Sequence, residues 1–208
     1  VLSEHLVIFF ACGGLLALLK AVEKDKRYRF FLSGLLLGLS IFVKQNGIFF
    51  IAVGGSWWVY VAIRERYWGW LTFASRSIAM AIGTLLPSLM VFAYLASNGL
   101  TDEFLYWNFE YQATYIHDVG WSEAMGYLKL IASKLWSGHQ VWWILAGLGL
   151  VLMPVAVFSK SFSKREEGLD KDAIVLMGVL LLLSLLSVTP RLTFHGHYFI
   201  FIFPAVAL

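Results

Sequence analysis

Long apolar stretches, separated by short polar segments, dominate the chain. A helix that crosses a bilayer needs about 20 apolar residues, or about 17 at the short end. The stretches that reach or approach this length predict an all-α polytopic transmembrane helix bundle of about seven spans within one domain, 1–208, in which the chain end cuts the last span. The predicted spans are 6–22, 30–43, 48–63, 78–96, 141–158, 173–188 and 198–208.

The stretch 30–63 allows two interpretations, because Lys44-Gln45-Asn46-Gly47 divides it into two short apolar runs. It is either one long helix or two passes with a turn at Gly47. Basic clusters lie on both sides of it, at 24–29 and 64–66. Lys and Arg accumulate in the cytoplasmic loops of membrane proteins, and only two passes put both clusters on one side. We therefore predict two short passes.

This choice sets the orientation of the whole chain. The chain starts outside, and twelve of the 16 Lys and Arg residues lie on the inner side. The formal net charge of +3 thus has a topological explanation and does not indicate a nucleic-acid partner. All five histidines lie on the outer side. Because the inner loops are short and basic, we expect any chemistry on the outer face.

The composition agrees with a protein embedded in a lipid bilayer. Hydrophobic residues make up 60% of the chain and charged residues 14%, with a mean hydropathy of +0.75. Soluble domains carry about 25% charged residues, and a chain of this length has no core large enough to bury so much apolar surface. A disordered chain, an ordinary soluble domain and a disulfide-rich secreted scaffold are therefore excluded, the last because Cys12 is the only cysteine.

The largest predicted outer loop is 98–140, which is rich in acidic and aromatic residues. Apolar residues recur in it at helical spacing and predict an amphipathic helix that could lie along the membrane interface. Two interpretations stay open: a connector anchored on the membrane, or a wall of a site that is open to lipid substrates. The residues of the apolar stripe are Trp121, Met125, Leu128, Ile131, Ala132, Leu135 and Trp136.

A predicted outer segment, 191–198, has the sequence RLTFHGHY. It contains Arg191, His195, His197 and Tyr198. A guanidinium group matches the oxygens of a phosphate, and imidazoles donate to phosphate or carry protons. The alternatives are an interfacial anchor without a ligand and a metal site, for which the segment offers two imidazoles and no further ligand.

Three other polar groups lie at the predicted outer boundary. Lys44, at the apex between two short helices, could contact a lipid phosphate or only snorkel to the interface. Glu4, beside His5, could act as a base, a sugar ligand or an interfacial anchor. Asp102 and Glu103 precede a series of aromatic residues, including Trp107 and Tyr111. Carboxylates beside rings suit a sugar site, but the same composition suits an interfacial aromatic belt.

Several of these segments resemble motifs of the bacterial GT-C membrane glycosyltransferases, which are related to protein O-mannosyltransferases and to the lipid A aminoarabinose transferase. Segment 33–47, SGLLLGLSIFVKQNG, resembles their GLLLGLAFLxKxxG stretch, and Ser3-Glu4 resembles their (S/T/D)-E start of a span. Segment 103–115, EFLYWNFEYQATY, is similar to FxxWxFxYNxxY. Segment 191–204, RLTFHGHYFIFIFP, resembles RxxGHYxxxLxP most closely, and the order and spacing agree along nearly the whole chain.

The resemblance implies a multi-pass enzyme of the bacterial cytoplasmic membrane with its active face outward. Such an enzyme moves a sugar from a polyprenyl-phosphate donor to a glycan, lipid or protein acceptor. Its catalytic acid lies in a first outer loop, which we expect upstream of Val1 in a longer protein, so no catalytic residue is assigned here. A divalent metal stays open, with no ligand set assigned.

The resemblance and the boundary residues together give two sets of candidate binding residues. The first set would contact the donor phosphate or donor head group: Lys44, Arg191, His195, His197 and Tyr198. The second would contact the sugar or the acceptor: Glu4, Asp102, Glu103, Trp107 and Tyr111.

Two other functions compete with this one. A transporter or flippase for a lipid-linked glycan would use charged groups or broken helices near the middle of the membrane. A non-catalytic membrane subunit would need no site. The sequence favours the transferase over the transporter, because nearly all its ionisable residues lie at the predicted boundaries of the spans.

Overall fold

The computed structural model describes residues 2–64, 69–111, 119–158, 171–189, 194 and 196–206. Within these ranges every regular element is a helix and no strand occurs, which confirms the all-α prediction. The chain divides into two compact units, Val1–Val119 and Gly120–Leu208. The prediction of one domain over the whole chain is not tested by this division.

The first unit contains four long helices. These are α1 (Leu2–Lys24), α2 (Arg27–Val43), α3 (Ile48–Arg64) and α4 (Trp70–Ser97). A short 3₁₀ turn, Gln45–Gly47, joins α2 to α3, so the stretch 30–63 forms two helices with a turn between them. A short helix, α5 (Thr101–Leu105), follows α4 and continues into a π-helical turn, Tyr106–Glu110.

Helix α2 is the centre of this unit, since it packs against α1 on one side and α4 on the other. Its contact with α4 is backbone on backbone. A Cβ atom at Gly34 would collide with the carbonyl oxygen of Met80, and one at Gly38 with that of Thr84. Gly83 of α4 approaches α2 in the same way. The Gly34/Gly38 pair therefore permits the close helix packing that its small-xxx-small spacing predicts.

Aromatic side chains fill the end of the first unit that is nearest to the α1–α2 connection. The ring of Trp58 packs edge-on against Phe30 at 4.6 Å between centroids and stacks on Phe73 at 5.5 Å. Its indole Nε1 donates a 2.8 Å hydrogen bond to the hydroxyl of Ser77. Trp58 lies on α3, Phe30 on α2 and Phe73 on α4, so this cluster ties three helices together.

The opposite face of α4 is apolar and exposed. Among the described residues, three segments are long and apolar enough to cross a membrane: Ser3–Lys24, Gln45–Arg64 and Trp70–Ser97. Their length and hydropathy support the prediction of a membrane protein. The arrangement of seven spans stays a prediction. The exposed apolar residues of α4 are Ile78, Ile82, Leu85, Leu89, Met90 and Phe92.

The second unit begins with a helical segment of 38 residues, α6 (Trp121–Phe158). Non-helical backbone at His139 divides this segment into two helices, and the division lies between the predicted amphipathic helix of the outer loop and the predicted span 141–158. Helix α7 (Lys171–Val188) packs against a 3₁₀ segment, Gly196–Ile202, and the short α8 (Phe203–Val206).

Candidate functional site

An ion pair joins the beginning of α1 to the end of α2. The ammonium group of Lys44 donates to Oε1 of Glu4, and the hydroxyl of Ser3 donates to Oε2 at 3.1 Å. The side chain of Glu4 is 3% exposed and that of Lys44 is 23% exposed. The acid is therefore buried, and the cation is the member of the pair that solvent or a ligand can reach.

Hairpin geometry explains why these two residues meet. Helices α1 and α2 are antiparallel, and the chain reverses at Asp25. Glu4 lies 21 residues before Asp25 and Lys44 lies 19 residues after it. At about 1.5 Å per residue, the two positions differ in height by only about 3 Å. The sequence contains this signal as opposite charges nearly equidistant from a turn, whereas the prediction assigned Glu4 and Lys44 to different ligands.

The turn after Lys44 folds back tightly on α2. A Cβ atom at Gly47 would collide with the backbone of Ser40, so the close approach requires glycine. The hydroxyl of Ser40 donates to the carbonyl oxygens of Leu37 and Gly47, at 2.6 and 3.4 Å. These contacts hold the end of α2 in place and so fix the backbone that carries Lys44.

The segment after α4 reaches the same end of the first unit. The side-chain amide of Gln45 donates a long hydrogen bond, 3.5 Å, to the carbonyl oxygen of Asn108. Asn108 lies in the π-helical turn, and its own amide donates to the carbonyl oxygen of Phe104 at 2.9 Å. The segment with the candidate sugar contacts is thus connected to the turn that follows Lys44.

Three exposed rings form a cluster on this segment. Trp107 lies 5.3 Å from Tyr106 and 5.0 Å from Tyr111 between ring centroids. Their exposed fractions are 46%, 57% and 40% for Tyr106, Trp107 and Tyr111. Asp102 and Glu103, in the first turn of α5, are also exposed. A π-helical turn is rare and often occurs at functional positions.

The other donor-phosphate candidates belong to the second unit. His197 and Tyr198 lie in the 3₁₀ segment, with their rings edge to face at 4.5 Å, and Tyr198 stacks on the buried Phe201. Arg191 and His195 lie outside the described residues. The grouping of Lys44 with the 191–198 segment therefore stays a prediction. Among the residues that the structure describes, no three His, Cys, Asp or Glu side chains are placed to hold a metal ion.

A second ion pair lies at the opposite end of the α1–α2 hairpin. The guanidinium of Arg76 on α4 binds the carboxylate of Asp25, which has a left-handed backbone with φ of 48°. The side chain of Arg76 is 7% exposed, and its guanidinium also lies 5.8 Å from the centroid of the Phe30 ring. The predicted span 78–96 begins two residues after Arg76, whereas α4 begins at Trp70 and includes it. The helix continues through Arg76 because its charge is buried and paired.

Two exposed tyrosines outside the predicted spans have shifted pKa values in opposite directions. The side chain of Arg29 donates to the hydroxyl oxygen of Tyr28, at 3.1 Å, and its charge lowers the pKa of that phenol. The hydroxyl of Tyr127 donates to a carboxylate oxygen of Glu123, at 2.9 Å, which raises the pKa of Tyr127. The Asp25 end of the hairpin is therefore electrostatically positive around Tyr28.

Compared with known protein families, with curated proteins and with solved structures, the chain shows no match.

Proposed function

We propose that this chain is part of a bacterial membrane glycosyltransferase that moves a sugar from a polyprenyl-phosphate donor to an acceptor on the outer face of the membrane. The observation that carries the proposal is the Glu4–Lys44 pair, which has a buried acid and an accessible cation. The motif resemblance supplies the reaction class. The geometry adds a positioned positive charge in the segment where that resemblance expects a donor contact.

The pair suits a reaction in which negative charge develops on a lipid phosphate. As the glycosidic bond breaks, its electron pair passes to the phosphate oxygen, and a nearby cation stabilises the leaving polyprenyl phosphate. The acceptor hydroxyl attacks the anomeric carbon and gives its proton to a base, which we do not assign to a residue here. In this scheme Lys44 contacts the phosphate, while Glu4 holds the ammonium group in position.

The aromatic cluster supports a carbohydrate substrate. The rings of Tyr106, Trp107 and Tyr111 are exposed and close together, and they belong to the segment that Gln45 contacts through Asn108. Aromatic rings stack on the apolar faces of pyranose sugars, and the exposed carboxylates of Asp102 and Glu103 are suitable acceptors for sugar hydroxyls. The Glu4–Lys44 and Asp25–Arg76 pairs lie at the two ends of the α1–α2 hairpin, which favours chemistry at the surface over transport through the bundle.

The test uses the full-length protein in membranes with radiolabelled polyprenyl-phosphate sugars, and it measures the release of free polyprenyl phosphate. Replacing Lys44 alone would leave Glu4 buried without its partner, which is strongly destabilising. The decisive variants are therefore Glu4→Gln/Lys44→Gln, which removes both charges, and the exchange Glu4→Lys/Lys44→Glu, which keeps a pair but moves the cation. Lys134→Ala, an exposed residue of α6, is the matched control.

We expect both double variants to insert and fold, and both to release polyprenyl phosphate at least 100-fold more slowly, consistent with the loss of one positioned charge-stabilising group. The control should keep the parental rate. Release at the parental rate by both double variants would show that the pair is only structural. An absence of release by the parent protein with every donor would reject the transferase itself.

A further inference from the structure

The connection between α1 and α2 contains a dense group of charged residues. Only Asp25 and Lys26 separate the two helices, so the group lies on one tight hairpin. We call residues 20–29 the basic hairpin. Together with Arg76, which binds it from α4, this hairpin has six basic residues and two acidic ones. The basic residues are Lys20, Lys24, Lys26, Arg27, Arg29 and Arg76, and the acidic ones are Glu23 and Asp25.

Asp25, the acid at the turn of the hairpin, pairs with a residue of another helix. Asp25 is paired with Arg76, whose side chain is buried against the ring of Phe30. The carboxylate of Asp25 is thus bound to a residue of α4, and without this pair the hairpin has five basic residues and one acid, Glu23. The pair also holds the turn against α4.

A second contact makes the hairpin rigid. Arg29 donates from Nη1 to the carbonyl oxygen of Lys20, at 3.0 Å, and from Nε to the hydroxyl oxygen of Tyr28. The first bond joins the beginning of α2 to the end of α1. Arg29 therefore links the two arms of the hairpin and holds together the backbone that carries the neighbouring basic residues.

The remaining basic residues face outward. Lys24, Lys26 and Arg27 are exposed, and within the described part of the chain none of the three forms an ion pair. Exposed apolar side chains lie on the adjoining turns of both helices, namely Leu19 on α1 and Leu32 on α2. The hairpin thus combines a cationic tip with an apolar flank at the end of a helix that is long enough to cross a bilayer.

We propose that the basic hairpin binds the phosphate head groups of anionic phospholipids in the bilayer that α1 crosses. An anionic membrane surface attracts basic residues next to a transmembrane helix, each contributing about 1 kcal/mol. The apolar flank would contact the acyl chains while the lysines reach the head groups. This combination fits a lipid better than a soluble phosphate, which would gain nothing from Leu19 and Leu32. The proposal does not depend on the transferase activity.

The experiment titrates the purified full-length protein, in a neutral detergent, with dioleoyl phosphatidylglycerol and follows the thermal unfolding midpoint. Parallel titrations use dioleoyl phosphatidylcholine and glycerol 3-phosphate. We compare the parent with Lys24→Gln/Lys26→Gln and with a control that removes the same charge elsewhere, Lys129→Gln/Lys134→Gln. A third variant, Glu23→Gln, removes an acid from the hairpin.

We expect phosphatidylglycerol alone to raise the unfolding midpoint of the parent, and increasing salt to weaken this rise. The half-saturating lipid concentration should increase about thirty-fold in the Lys24/Lys26 variant, decrease in Glu23→Gln and stay unchanged in the Lys129/Lys134 control. An equal response to both lipids, or an unchanged half-saturating concentration in the Lys24/Lys26 variant, would overturn the proposal. A response to glycerol 3-phosphate equal to that to phosphatidylglycerol would show a soluble-phosphate site instead.

Discussion

The two ends of the α1–α2 hairpin each contain an ion pair with one buried member, but the buried charge has the opposite sign. At one end the acid Glu4 is buried and its partner Lys44 is partly exposed. At the other end the cation Arg76 is buried and its partner Asp25 is 56% exposed. The first pair joins helices that are consecutive in the chain, whereas the second requires α4 to pack on α2.

Different contacts stabilise the buried charge at each end of the hairpin. Glu4 receives hydrogen bonds from Lys44 and Ser3. Arg76 has both the Asp25 carboxylate and the face of the Phe30 ring, and an aromatic face attracts a cation. We therefore expect the Glu4 end to depend strongly on its ionic partner and the Asp25 end to depend on several weaker contacts.

The largest effect that we expect is the loss of the partner of Glu4. Lys44→Ala should lower the free energy of unfolding by about 3–5 kcal/mol, because it leaves an unpaired carboxylate at a buried position. Asp25→Ala leaves the guanidinium of Arg76 buried without its carboxylate but still beside the Phe30 ring, so we expect it to cost less than Lys44→Ala. Denaturant titration of both variants in detergent measures the difference. Equal costs would show that the two ends do not differ in this way.

A smaller effect should follow from separating α4 from α2. Gly34→Ala places a methyl group against the Met80 carbonyl and should cost about 1–3 kcal/mol. Because Arg76 lies on α4, the added cost of Asp25→Ala should shrink in this background, while the cost of Lys44→Ala should not. Double-mutant cycles measure this coupling. Gly55→Ala, which has no atom within 4 Å of its added Cβ, is the control.

The smallest effect concerns the ionisation of two exposed phenols. Bonding to Arg29 lowers the pKa of Tyr28, so its phenolate should form at a lower pH than that of an ordinary tyrosine. Tyr127, bonded to Glu123, has a raised pKa and should ionise later. Ultraviolet titration of tyrosinate should therefore lose a component below the ordinary phenol range in Tyr28→Phe and one above that range in Tyr127→Phe. Unchanged titration curves would contradict the positive potential inferred at the Asp25 end.

Much of the helical structure was predictable, because apolar runs of span length form helices whether or not their neighbours are known. The prediction that 30–63 forms two helices with a turn between them is confirmed. The turn is tight because Gly47 lies where a side chain would collide with the backbone of Ser40. The start of α4 was placed too late. A charged residue such as Arg76 normally marks the end of a span, and only its burial against Phe30 and Asp25 explains a helix that continues through it.

The candidate site was predictable as a set of residue types but not as a set of contacts. Lys44 and Glu4 were both selected as boundary residues, yet they were assigned to different ligands, and the structure pairs them with each other. The aromatic residues after Asp102 were also selected. Their grouping around Trp107, by contrast, joins a chain neighbour, Tyr106, and a residue one helical turn away, Tyr111, so a helix over 106–111 would have predicted it.

The sequence by itself determined that the chain is helical and has helices long and apolar enough to cross a membrane, because hydropathy and the length of apolar runs are local properties of the chain. It also determined the close approach of α2, through the absence of side chains at Gly34 and Gly38. Only the tertiary structure decided which charges meet. Ion pairing depends on how far along each helix a residue lies and on which side of the helix it lies. Glu4 therefore pairs with Lys44 across one hairpin, and Arg76 of α4 pairs with Asp25.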